Sequence, residues 1–437
     1  MLNKWMAIGL ASLGLQTAAW AALPLQQWQS AGGAPVYLIE THNLPMLDVR
    51  IDFDAGARRD PAGKSGVAAA LSNMLSKGVA AQAGAAALGE NELADRWADL
   101  AAQVGIGADQ DRMSISLRSL TKPELLQPAV ALLARQIAQP SLPAAVWQRE
   151  RGKALAALRE AQTRPDFLVE KAFTQAVFGS HPYGAISTAQ SLAQIEVADM
   201  RRLHASSFAP CHARISMVGA VTRAQAEQIA EQLLAGLPTK CSALPELPKV
   251  QDLKAAKEER IPFAAAQTQV LLGQPAIDRA SPDFFAFLVG NHILGGGGFA
   301  SLLTQAVREK EGLTYSIYSS FNPGRDRGAF EIGFQTRPDQ ADKALTITRK
   351  VLADFVRVGP TEAQLQAAKD NLLGGFAGRM DSNAKLLDLL ANIAWNDLPL
   401  DYLETWPQKI AALQAADVRR AFAHIQPERM VLMQVGQ

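Results

Sequence analysis

Apolar residues fall along the chain in two alternating periods, one of helices and one of strands. Between Gly66 and Gly78, residues Val67, Leu71, Met74 and Leu75 recur at the spacing of one helix face, and the two glycines bracket the run. Upstream, 35–40 is a short apolar run. After an Asn43-Leu44-Pro45 turn, 47–53 alternates apolar and polar residues as a half-buried strand does. The spacing predicts a helix over about 91–102, an alternating strand at 113–117, and helices at 123–137 and 143–162, both with a proline near the first turn. Farther on come a strand at 267–273 and a helix at 282–294 that runs into Gly295–298. A short helix then ends at Arg308, followed by paired strands at 314–321 and 328–334 and helices at 339–358 and 361–377.

One unit occurs twice. Val197-Ala-Asp-Met-Arg-Arg202 leads through Pro210 to Arg214-Ile-Ser-Met-Val-Gly219. Ala415-Ala-Asp-Val-Arg-Arg420 leads through Pro427 to Arg429-Met-Val-Leu-Met-Gln-Val-Gly436. Each copy reads as a helix that turns at proline into a strand. Two such units predict duplicated α/β domains of roughly 200 residues, within an α+β fold class. The expected layout is a first domain at 22–240, a connection at 241–259 that includes Leu244-Pro-Glu-Leu-Pro-Lys249, and a second domain at 260–437.

Composition narrows the function classes. With 43 basic and 42 acidic residues the net charge is +1, and basic runs are as short as Arg201-Arg202, so no nucleic-acid partner is expected. Lys4, an apolar stretch at 6–15 and Ala19-Trp20-Ala21 read as a signal peptide over 1–21, which predicts export, with the periplasm as the expected location. No later run reaches the roughly 18 apolar residues of a membrane helix, so no stable membrane insertion is expected. The two cysteines, Cys211 and Cys241, are no disulfide framework, and whether they pair is a question of geometry that the sequence leaves open.

Catalytic patterns are scarce. The six histidines (His42, His181, His204, His212, His292 and His424) are never three or four residues apart, so no helix presents two imidazoles on one face. No G-x-S-x-G is present, and Gly295–298 lacks the Lys-Ser/Thr of a phosphate loop and reads as a loop before a helix.

Several ordered motifs nevertheless resemble one family. Gly66-Val-Ala-x-x-Leu-x-x-Met-Leu-x-Lys-Gly78 resembles the zinc helix of the insulinase/pitrilysin peptidases, whose signature is H-x-x-E-H. His181-Pro-Tyr-Gly184, Phe208-Ala-Pro-Cys-His-Ala-Arg-Ile-Ser-Met-Val-Gly219, Gly295-Gly-Gly-Gly-Phe-Ala-Ser-Leu-Leu303 and Arg308-Glu-Lys-Glu-Gly-Leu-Thr-Tyr315 are similar to further family motifs in the same order, with Leu302 where the family has Arg. The two histidines fall at Ala69 and Asn73, the acid between them at Ser72, and the third ligand, a Glu, at Ala157. Alanine has no donor atom, and neutral Ser and Asn oxygens are poor zinc ligands. No metal or cofactor is expected in this chain.

The resemblance is to the short, two-domain members, such as the subunits of the mitochondrial processing peptidase. It implies two mostly antiparallel sheets covered by helices and forming half of a clam-shell chamber. It also implies that Arg308 and Tyr315 support a site in trans, with Gly296 and Gly297 beside them touching peptide. The expected function is a non-catalytic subunit of a heterodimeric zinc peptidase. Its partners would be a zinc-bearing paralogue that supplies the metal and unfolded peptides as substrates. The alternatives are a peptide-binding or scaffold protein with no peptidase role, and a lone enzyme using another metal.

Overall fold

In the computed structural model residues 24–437 are described, so the signal peptide expected at 1–21 lies outside the described residues. The first half builds a six-stranded sheet from β1 (Leu25–Gln29), β2 (Pro35–Glu40), β3 (Met46–Phe53), β6 (Gln103–Ala108), β7 (Met113–Leu120) and β8 (Ala213–Gly219). The short strands β4 (Gly78–Val79) and β5 (Leu88–Gly89) pair separately. The second half builds a five-stranded sheet from β9 (Lys257–Pro262), β10 (Thr268–Pro275), β11 (Ile317–Phe321), β12 (Ala329–Thr336) and β13 (Val431–Gly436). Lys257–Glu259, expected in the connection, are the first residues of β9.

The duplication is visible in the strand order. The first sheet runs β1-β2-β8-β3-β7-β6 and the second, read from its other edge, β9-β13-β10-β12-β11. In each, the first strand of the repeat lies parallel to the last (β2 with β8, β9 with β13) and every other pair is antiparallel. With β1 set aside, the two sheets follow the same path. The repeated helix–proline–strand unit is what delivers β8 and β13 to the parallel position.

Alternation in β3 explains how the halves join. Leu47, Val49, Ile51 and Phe53 are fully buried in the first core. The intervening Asp48 and Asp52 are also buried, each facing an arginine: Arg118 Nε of β7 donates to Asp48 at 2.6 Å, and Nη1 of Arg112, the residue just before β7, donates to Asp52 at 3.2 Å. What covers this second face is the Asn383–Trp395 helix of the other half, through Leu386, Leu387, Leu390 and Ala394 on Tyr37, Ile39 and Val218. The first half reciprocates. Its Pro165–Phe178 helix lays Val169, Phe173 and Val177 on Leu271, Val431, Met433 and Val435 of the second sheet. Each sheet thus has its second face closed by a helix from the opposite half.

Cys211 and Cys241 form a disulfide, with their Cα atoms 6.1 Å apart. It ties the start of β8 to the connecting stretch.

Candidate functional site

The Val67–Met74 helix begins at Gly66, whose φ of 114° lies in the region open to glycine. The Asp60 carboxylate accepts hydrogen bonds from the Gly66 and Ala68 amides at 2.6 and 2.8 Å, capping the first turn from outside the helix. Val67, Ala68, Leu71 and Met74 face the core, which leaves Ala69 and Asn73 on the opposite, exposed face. There they meet the Ala144–Ala161 helix across a cavity of about 490 Å³, which Ala157 also lines. The structure therefore brings together three of the four positions where the resemblance expects zinc chemistry. Ser72 is not among the lining residues: it is buried, and its hydroxyl donates to the Ala69 carbonyl at 2.9 Å.

The lining of this cavity does not fit a zinc ion. Its one carboxylate, Glu150, sits two helical turns before Ala157 on the same face, a relation the helical spacing could have disclosed. Glu150 accepts from Lys153 at 2.9 Å and from Arg149 at 2.8 Å, and these bonds, Lys153 first, hold its carboxyl below the usual range. A single carboxylate already engaged by two cations, beside an amide and two alanines, cannot supply three or four donors.

Arg308 and Tyr315 stand together. Thr304–Glu309 is a π-helical turn, and Tyr315 lies in the short link between it and β11. The Arg308 guanidinium is 4.8 Å from the Tyr315 ring centre and 4.4 Å from that of Phe299, so it is held between two aromatic faces. Both rings are exposed, Tyr315 at 77% and Phe299 at 64%. Arg308 Nε also approaches Glu309 at 3.3 Å. Phe299 escaped the sequence reading, although it directly follows the glycine run.

That run is not the loop expected from sequence. His292–Gly296 continues the Phe284–Asn291 helix as a π-helical segment, and Gly298–Ala300 follows as a single 3₁₀ turn. A Cβ on Gly295 would collide with the Ser319 amide nitrogen of β11, one on Gly296 would meet Asn291 Nδ2 at 2.9 Å, and one on Gly297 the His292 carbonyl at 2.7 Å. The glycines permit the tight turn that brings Phe299 against Arg308.

His181-Pro-Tyr-Gly184 joins the halves. Tyr183 Oη donates to Asp111 at 2.5 Å and accepts from the Asp326 amide at 3.3 Å. His181 Nδ1 accepts from the Tyr183 amide at 3.0 Å, so Nε2 carries the proton and donates to the Pro248 carbonyl of the connecting stretch at 2.9 Å. Burial holds this imidazole below its ordinary value, in the neutral form.

Residues 36–189 match the family described as insulinase, peptidase family M16, and residues 194–372 match a description that reads peptidase M16 inactive domain. The solved peptidase M16 inactive domain from Pseudomonas fluorescens is 35% identical with a TM-score of 0.89, the match covering 95% of this chain and 98% of that one. A protease from Helicobacter pylori has the same fold at 17% identity and a TM-score of 0.85, over 94% of this chain and 99% of its own. The non-peptidase homolog YmxG of the same organism is 24% identical over 415 residues, 93% of this chain and 91% of that protein.

Proposed function

The chain belongs to the insulinase family, peptidase family M16, as an inactive member, and from that premise we propose that it is the non-catalytic subunit of a heterodimeric zinc peptidase. The observation that carries this reading is the arginine clamp. Arg308 is set between Phe299 and Tyr315 with both rings open to solvent, while the cavity at Ala69, Asn73 and Ala157 holds no ligand set. A hydroxyl and a guanidinium so presented suit a substrate held by another chain. The Tyr315 hydroxyl would donate to the oxyanion of a tetrahedral intermediate, and Arg308 would hold a peptide carbonyl or carboxylate. Zinc and general base would come from a paralogue carrying H-x-x-E-H.

The same reading has the mature chain exported to the periplasm. The Cys211–Cys241 bridge supports it, because disulfides persist in oxidising compartments. Among the described residues no helix is long and apolar enough to cross a membrane.

The test is reconstitution. The purified chain mixed with its zinc-bearing paralogue should restore peptide cleavage, and Tyr315→Phe should lower kcat about tenfold or more without preventing association. Full cleavage by the paralogue alone would sink the proposal. The second reading, a peptide-binding scaffold, is favoured by the name non-peptidase homolog carried by the H. pylori relative. It predicts that Arg308→Ala disturbs assembly and leaves proteolysis unchanged.

A further inference from the structure

Between the two halves lies a larger cavity, of about 830 Å³. Phe173, Phe178 and Tyr183 of the first half and Phe284, Tyr402 and Trp406 of the second contribute its aromatic wall. This size and its place at a domain junction are those of small-molecule sites.

Of the charged residues that line it, Asp111 and Asp109 pair with Arg58 and Arg112, and the remaining four fall into two sets by sign. Arg279 is only 7% exposed, yet it forms no ion pair among the described residues. Its guanidinium lies 3.7 Å from the Phe284 ring centre and 5.2 Å from that of Tyr402, and Nη2 donates to the Tyr402 hydroxyl at 2.6 Å. Arg379 also lines the cavity, 5.6 Å from the Trp406 ring centre, and both guanidiniums act on the Tyr402 phenol. A buried guanidinium facing rings and a phenol lacks the anion that would offset its desolvation. The second set is Glu170 and Glu331. Neither forms an ion pair among the described residues, and the only hydrogen bond described for the Glu331 carboxylate is from Ser320 Oγ at 3.1 Å. Burial raises the Glu331 carboxyl, and burial followed by the charges of Glu331 and Asp166 pushes Glu170, which keeps part of its surface in solvent, up to about 7. Among the described residues the buried Arg279 and the half-buried Glu331 thus lack a counter-charge, while Arg379 and Glu170 line the same cavity with access to solvent.

We propose that this cavity binds a short peptide as a zwitterion, its carboxylate on Arg279 and Arg379, its ammonium group on Glu170 and Glu331, and an apolar side chain on the aromatic wall. Such a ligand completes both sets of charges at once, which neither a simple anion nor a simple cation does. The proposal is independent of the arginine clamp at Arg308 and of any catalytic partner.

Calorimetric titration of the full chain with leucyl-phenylalanine tests it. The free dipeptide should bind, while its C-terminal amide and its N-acetyl form should each bind about tenfold or more weakly, the loss expected for one charge-assisted contact. Arg279 is buried and its replacement endangers folding, so the variants use the exposed members of each set. Arg379→Ala should weaken the free dipeptide but not the amide, and Glu170→Gln the free dipeptide but not the N-acetyl form. Equal affinities for free and capped forms, or no binding heat with millimolar dipeptide, would overturn the proposal.

Discussion

At Ala69 and Asn73 a helix has kept its place and lost its donors. The two positions lie four residues apart on one face, the geometry with which a helix can offer two imidazoles to one metal, and Ala157 faces them across the same cavity. The scaffold of a metal site is therefore present without its ligands. The combined variant Ala69→His, Asn73→His and Ala157→Glu should bind about one equivalent of zinc by elemental analysis, against less than about a tenth in the unmodified chain. Cleavage need not follow, because Ser72 at the position of the general base points its hydroxyl at the Ala69 carbonyl instead of the cavity. The contrast with Arg308 and Tyr315 is one of exposure. These keep their chemistry where solvent, and hence another chain, can reach it.

Among the elements, the exchanged helices carry the joining of the halves. The Asn383–Trp395 helix would expose Leu386, Leu387 and Leu390 if the halves parted, and the Pro165–Phe178 helix would expose Val169, Phe173 and Val177. Burying those side chains stabilises each sheet from outside its own half. Leu390→Ala, at a fully buried position, should cost about 2–5 kcal/mol and lower the unfolding temperature of both halves together in a single calorimetric transition. Two separate transitions, one of them unshifted, would show that the halves fold independently. The same scale explains the glycine run. Gly295 packs so close to β11 that a side chain would strike Ser319, which propensity alone does not disclose.

For the whole molecule, the junction at His181 couples stability to pH. Burial holds the imidazoles of His181 and His204 below the ordinary 6.5. Between 6.5 and the lower native value the unfolded chain binds protons that the folded chain does not, so stability rises with pH across that window. The contribution is complete above 6.5 and is lost as pH falls from there through the native value. The hydrogen bond to the Pro248 carbonyl, Asp326, 4.0 Å from His181 Nε2, and Asp111 favour the protonated form; burial, with Arg58 acting in the same sense, outweighs them. His181→Gln should therefore flatten the rise of the urea midpoint between about pH 5 and about pH 7 relative to the unmodified chain, with His204 acting in the same sense and Asp60 and Glu170, whose carboxyls burial pushes up to about 6 and about 7, acting in the opposite one. A midpoint profile unchanged by the substitution would remove His181 from the account.

How much of this was legible in the sequence follows the range of the interactions involved. Periodicity is local, so β3, β7, the Val67–Met74 helix and the duplicated units could be read directly. So could the absence of zinc donors, because a missing imidazole is a fact of covalent chemistry that no packing restores. β1 and β6 were missed. Gly105 and Gly107 weaken the strand signal of β6, which pairing with β7 overrides. Contacts between residues distant in sequence were decided by the tertiary structure alone. These are the pairing of Cys211 with Cys241, the setting of Arg308 between Phe299 and Tyr315, the exchange of helices between the sheets, and the cavity in which Arg279 and Glu331 meet no counter-charge among the described residues. The physical reason is that side-chain spacing determines which face an element buries, whereas what that face meets depends on how whole elements pack.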